Sequence, residues 1–105
     1  MDKVCIVYVT VSSLIEAEEI SMAVVKERLA ACTNIIDSIT SSYMWEEKFT
    51  SRDESVLIIK TREGLLGKLE KRITELHSYD TPCIITIPTL KVNDKYATWV
   101  IEQTT

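Results

Sequence analysis

The 105-residue chain, 12.0 kDa in mass, has room for one compact domain, 1–105, and none for a second beside a linker. With 46% hydrophobic and 27% charged residues and only two glycines and two prolines, the composition excludes a disordered, collagen-like or low-complexity chain. Twelve basic against sixteen acidic residues leave a net charge of -4, and no basic run exceeds the Glu70-Lys71-Arg72 neighbourhood, so nucleic acid is not expected as a partner.

No unbroken apolar stretch approaches the roughly 20 residues needed to cross a bilayer, so no membrane association is expected. Met1-Asp2-Lys3 runs into a strand-like pattern without a basic n-region or cleavage site, which makes the cytoplasm the expected compartment. Cys5, Cys32 and Cys83 are odd in number and widely spaced, so they read as reduced thiols rather than a disulfide framework or zinc knuckle. Gly64 and Gly67 cannot make a GxGxxG turn or a phosphate loop.

From Lys3 to Val11 both parities are apolar or β-branched, which predicts a strand covered on both sides. Ser13, with Glu16 three residues on, predicts a capped helix carrying Ala17, Ile20, Ala23 and Val24 and running to about Leu29. Cys32–Trp45 and Phe49–Thr61, separated by Glu46-Glu47-Lys48, read as a long hairpin. At about 3.3 Å per residue the first of these strands reaches about 45 Å, beyond the roughly 34 Å diameter of a globule this size. The tip, with Tyr43, Met44, Trp45 and Phe49, should therefore overhang its domain and pack on another subunit.

Thr61 is placed to cap a second helix with the stripe Leu65, Leu66, Leu69, Ile73 and Leu76, ending before the His77–Pro82 loop. A strand over Cys83–Leu90 carries Pro88, which confines it to a sheet edge. Asn93 caps a terminal helix with Tyr96, Val100 and Ile101 on one side and Trp99 adjacent. The order is βαββαβ with an extra helix, the split βαβ pattern, with the first and third strands inside and the second and fourth at the edges. Two helices cover one face of such a sheet, yet several strands are apolar on both, so an obligate oligomer is expected.

His77, the single histidine, reads either as a metal ligand or proton carrier, or as a helix C-terminal histidine fixing the turn into Pro82. The three cysteines with Met1, Met22 and Met44 are soft donors suited to copper if they meet in space, and otherwise small apolar residues. The carboxylate neighbours Glu18-Glu19, Glu46-Glu47 and Asp53-Glu54 do not form acid/base pairs, because strand neighbours point to opposite faces. No nucleophile elbow or triad is present, so no catalytic residue is assigned.

Five segments, in order, resemble the CutA family, named for divalent-cation tolerance. They are Lys26-Glu27-Arg28-Leu29-Ala30-Ala31-Cys32-Thr33-Asn34-Ile35, Ser42-Tyr43-Met44-Trp45-Glu46 with Lys48, Leu57-Ile58-Ile59-Lys60-Thr61, Glu75-Leu76-His77-Ser78-Tyr79-Asp80-Thr81-Pro82, and Asn93 to Ile101. The resemblance implies an α+β, ferredoxin-like βαββαβ sandwich with an extra C-terminal helix and a long β-hairpin, assembled as a homotrimer similar to PII proteins. It implies a part in divalent metal tolerance or response, with copper or another soft divalent metal at or near the subunit interface.

Positions matching the family motifs are Cys32, Tyr43, Trp45, Glu46, Lys60, His77, Tyr79, Pro82, Tyr96 and Trp99, which the resemblance places near clefts between subunits. His77 is the expected metal ligand, joined by Cys83 or Cys32. Tyr43, Trp45, Glu46, Lys60, Tyr79, Tyr96 and Trp99 are the expected cleft. Ser78 stands for the usual proline, Asp80 for a glutamate, Cys83 for a glutamate and Glu47 for the glycine of the hairpin turn; Val9 stands where some metal-binding members have a cysteine. An alternative reading is a PII-like sensor of a small anionic metabolite held by Lys60 between Tyr79 and Trp99. A third is an enzyme using Glu46, Lys60 or His77.

Overall fold

The computed structural model describes residues 2–105. Strand β1 spans Val4–Val11, and its two parities have different fates. Cys5, Val7, Val9 and Val11 are buried beneath helices, whereas Ile6, Tyr8 and Thr10 on the other face are only partly covered. Helix α1, Leu14–Lys26, starts as its sequence predicts, with the Ser13 hydroxyl accepting from the Glu16 N–H at 3.2 Å. The reciprocal bond falls one residue earlier than in a capping box: Glu16 Oε1 accepts from the Ser12 N–H at 2.9 Å and from its hydroxyl at 3.0 Å.

Helix α1 ends at Lys26 rather than near Leu29. Arg28 takes a left-handed φ of 60°, and the N–H groups of Arg28 and Leu29 fold back to the carbonyls of Val25 and Val24 at 3.1 and 2.9 Å. This is a Schellman closure, usually marked by glycine; here arginine fills the position, so the stop is invisible to residue type. The Arg28 guanidinium donates to the Gln103 carbonyl at 3.1 Å, tying the end of α1 to the C-terminal helix.

Strands β2 (Cys32–Trp45) and β3 (Lys48–Arg62) form the long hairpin, paired from Cys32↔Lys60 to Trp45↔Lys48. The molecule is 46 Å long and 26 Å wide, so the arm overhangs as its length predicts. Met44, Trp45 and Phe49 at its tip are 64%, 64% and 72% exposed. The register shifts between Ile36 and Ile39, where β2 carries one residue more than β3. Ser55, buried opposite this bulge, donates its hydroxyl to the Asp37 carbonyl. Beyond the bulge Tyr43 pairs with Thr50 and Ser41 with Arg52, so Tyr43 and Trp45 share a face with Arg52 and Glu54.

Strand β3 runs on through Thr61 and Arg62, so Thr61 is no helix cap. It is buried and donates to the Leu29 carbonyl at 2.7 Å. A 3-10 turn, Glu63–Leu65, leads into α2, Leu66–Leu76, which has no side-chain cap and buries Leu69 and Ile73. Strand β4 covers Ile84–Pro88, shorter than the Cys83–Leu90 expected, because Thr89 leaves the ladder to donate its hydroxyl to the Val4 carbonyl at 2.8 Å. Helix α3, Asp94–Gln103, is capped by Asn93 as predicted, its side chain accepting from the Tyr96 N–H at 3.0 Å.

The antiparallel sheet has the order β2-β3-β1-β4, with the edges where the split βαβ pattern puts them and Pro88 on one of them, opposite Cys5. Helices α1 and α2 seal one face over Val7, Val9, Leu57 and Ile59 with Ala17, Ile20, Val24, Leu69 and Ile73. Helix α3 closes one corner of the other face, packing Val100 on Val4 and Ala31. The rest of that face is open and apolar: Ile6, Tyr8 and Ile58 are partly covered, and Ile36, Ile85 and Ile87 are about half exposed.

Glu46 and Glu47 form the hairpin turn with φ of 48° and 66°, the left-handed pair of a type I′ turn. A left-handed φ costs an L-residue about 1 kcal/mol that glycine avoids. Glu47→Gly should therefore raise the thermal unfolding midpoint; a lowered midpoint in differential scanning calorimetry would count against strain at this turn.

Candidate functional site

The loop after α2 folds back against the root of the arm, and His77 is its pivot. The Tyr79 N–H donates to Nδ1 at 3.1 Å, so the ring proton sits on Nε2, which donates to the Thr10 carbonyl at 2.8 Å. The side chain is buried, with both nitrogens engaged by backbone. One residue on, the Ser78 N–H donates to Glu16 Oε2 at 2.8 Å. Burial pushes the Glu16 carboxyl up, but its bonds from Ser12 and Ser78 outweigh this and hold it below the usual range.

The pivot delivers Tyr79 to the sheet. Its ring lies 4.8 Å from that of His77, and its hydroxyl donates to Glu54 Oε2 at 2.7 Å. The Arg52 guanidinium stands over the same ring at 5.4 Å. The Tyr43 hydroxyl, ahead of Tyr79 and Glu54, pushes the Arg52 pKa up. Burial, and then the bond to Glu54, push the Tyr79 phenol up to about 12. Between loop and arm opens a cleft of about 820 Å³. Tyr43, Trp45, Tyr79 and Cys83 wall it, and Arg52, Glu54 and Asp80 supply its charges.

A second cluster lies at the far end of β3. Cys32 and Lys60 face each other across the ladder, and the Cys32 Sγ is 3.2 Å from the Tyr96 hydroxyl. Trp99 stacks obliquely on Tyr96, with ring centroids 5.6 Å apart. Burial first, and then the Cys32 contact, push the Tyr96 phenol up to about 12.

The residues expected at one site thus divide within a subunit. Tyr43, Trp45, Tyr79 and Cys83 meet in the cleft; Cys32, Lys60, Tyr96 and Trp99 gather at the other end; Glu46 turns the exposed tip. His77 stands behind the cleft as a frame, and a metal at either ring nitrogen would have to displace one of its backbone bonds. All three cysteines are free, with Cys5 buried. Met22 and Met44 are exposed and lie in neither cluster, and Met1 lies outside the described residues. Among the described residues no three His, Cys, Asp or Glu side chains converge on a metal-sized site within one subunit. Sequence reasoning missed Arg52 and Glu54 as cleft residues. Their alternation on β3 was the available signal, but only the bulge shows that Tyr43 and Trp45 join them.

Fold and site define a ferredoxin-like α+β protein with a projecting β-arm and an aromatic cleft at its root. Residues 5–103 match the family described as CutA1 divalent ion tolerance protein, and the chain belongs to that family. It is 43% identical to the divalent-cation tolerance protein CutA of Pyrococcus horikoshii over 94% of this chain and 96% of that one. Identity to the chloroplastic protein CutA of Arabidopsis thaliana is 41% over 94% of this chain, which spans only 54% of that relative. The crystal structure of CutA1 from Ehrlichia chaffeensis superimposes with a TM-score of 0.97 at 36% identity, covering 100% of this chain and 98% of that one. A periplasmic CutA from Archaeoglobus fulgidus does so at 0.94 and 34% identity, covering 97% and 99%. Relatives thus occupy different compartments, so family membership does not set one. Among the described residues no helix is long and apolar enough to cross a membrane.

The raised Tyr79 pKa links stability to alkaline pH. The folded state holds the phenol neutral more firmly than the unfolded chain, where it ionises near 10, so this stabilisation is complete below about pH 10 and is lost as pH climbs towards 12. Tyr96 titrates in the same window. Tyr79→Phe should therefore reduce, without abolishing, the alkaline fall in stability; unfolding midpoints followed from about pH 9 to 12 check this, and an unchanged slope would contradict it.

Proposed function

We propose that the chain acts in tolerance of, or response to, divalent metal ions as a homotrimer that binds copper or another soft divalent metal at or near its subunit interface. The observation that carries this reading is the open sheet face. Ile36, Ile58, Ile85 and Ile87 form an apolar surface that water penalises, with Cys32 at its border. Burying that surface against further copies brings the Cys32 thiols to the junction. Three copies rather than two is what the resemblance to CutA and PII proteins implies.

Thiolates favour soft cations, and Cys32 and Cys83 are the partly exposed thiols among the three. His77 supports the loop bearing Cys83 in this reading and is not itself a ligand. Working thiols need a reducing environment, which fits the cytoplasm. The reading keyed to an anion held by Lys60 gains less support, because within a subunit Tyr79 docks on Glu54 in the middle of β3, away from Lys60.

Native mass spectrometry of protein purified without chelator should show a species near 36 kDa, three copies of the 12.0 kDa chain, carrying a metal-sized increment. Copper titration should weaken for Cys32→Ser and Cys83→Ser, whereas His77→Ala should keep its copper stoichiometry and lose thermal stability. Unchanged copper affinity in both cysteine variants would remove the proposed site, and a stable monomer would remove the interface.

A further inference from the structure

We propose that the outward face of α1 is a self-association surface, joining two assemblies of this chain through an antiparallel pair of α1 helices. The helix buries Ala17, Ile20 and Val24 against the sheet. At about 100° per residue, Ile15, Glu19, Met22 and Lys26 form a stripe on the opposite side. Charged residues normally occupy that side of an amphipathic helix, yet Ile15 and Met22 are 68% and 58% exposed there. Leu14 and Val25 border the stripe, and a shallow groove of about 480 Å³ follows it. The helix covers the sheet face opposite the open one, so copies gathered on the open face leave this stripe outermost.

The charges on the stripe select its occupant. Among the described residues neither Glu19 nor Lys26 enters an ion pair, whereas Glu27 beside them is held by Arg72. Their own helix offers them no partner, because Met22 and Ala23 fill the positions three and four residues from each. Glu19 and Lys26 are about two turns apart, so they lie on one line with Met22 between them. A second α1, laid antiparallel about the midpoint of Met22 and Ala23, sets each Glu19 against the partner's Lys26. The two Met22 side chains then pack between these charge pairs. A parallel copy would place like charges together. A basic amphipathic partner would suit Glu18 and Glu19 but set its cations against Lys26, so the antiparallel copy is the occupant that answers both signs.

The size of the contact sets its strength. A 13-residue helix is about 20 Å long, so the pair buries less than the roughly 1,200 Å² of a permanent interface. The association is therefore reversible and concentration-dependent, and salt weakens it because its charge pairs lie at the surface. Opposed helix dipoles and the adaptable Met22 side chains favour the antiparallel arrangement.

The test is sedimentation equilibrium of the full native protein at low salt, with chelator present to remove metal bridging. It reads the doubling of whatever assembly exists at low concentration, so it does not depend on how many copies the sheet face gathers. Doubling is expected as the protein approaches about 1 mM. Lys26→Glu and Glu19→Lys should each weaken it about tenfold or more, although the first makes the chain more acidic and the second less so. The variant carrying both changes should recover it, because the two charges have exchanged places. Glu19 and Lys26 are exposed, so all three variants should remain folded, which circular dichroism and thermal midpoints verify. Absence of doubling, doubling unchanged by Lys26→Glu, opposite responses of the two single variants, or no recovery in the double variant would each overturn the proposal. Saturable binding of a synthetic Lys/Leu amphipathic helix without doubling would also overturn it, assigning the stripe to a basic partner.

Discussion

One extra residue in β2, between Ile36 and Ile39, sets what the arm presents. A strand alternates faces with every residue, so a single insertion exchanges the two faces for everything beyond it. Without the bulge Met44 would share a face with Glu54 and Arg52; with it, Tyr43 and Trp45 do. Ser55 satisfies the displaced Asp37 carbonyl from the buried side of β3, so the irregularity is supported by the core. The aromatic wall of the cleft follows from this local count, and the loop from His77 to Cys83 closes the other wall.

A second tension runs through the sheet. Three helices are too few to cover two faces of four strands: α1 and α2 seal one, and α3 shields only the corner at Val4 and Ala31. The remaining apolar surface leaves the fold half of a packing solution, and further copies of the chain would supply the other half. The same arithmetic accounts for the arm, which stretches the molecule to 46 Å along its long axis, beyond what one subunit's core can support.

Much of this was legible in the sequence because it depends on periodicity and on residues with strong local chemistry. The two-faced apolarity of Val4–Val11, the caps at Ser13 and Asn93, the length of Cys32–Trp45 and the edge position of Pro88 all emerged from pattern alone. What escaped was set by backbone conformations that residue type does not reveal. Arg28 ends α1 in a geometry usually left to glycine, and Thr61 hydrogen-bonds Leu29 in the connection from α1 to β2 instead of capping a helix. The site was harder still. His77 has the chemistry of a ligand, but its two nitrogens serve the backbone, a fact of three-dimensional placement. Lys60 and Tyr79, both family motif positions, prove to be apart within a subunit: Lys60 lies towards the end of β3, and Tyr79, on the loop after α2, docks on Glu54 in mid-strand.

The chain has two tryptophans, and the fold assigns one to each cluster. Trp45, near the tip of the arm, lines the aromatic cleft, and Trp99 rests on Tyr96, whose hydroxyl touches Cys32. The molecule thereby carries its own optical labels, one beside the charged aromatic pocket and one beside the thiol. Indole emission from single-tryptophan forms would distinguish an event at one end of β3 from an event at the other without any added probe.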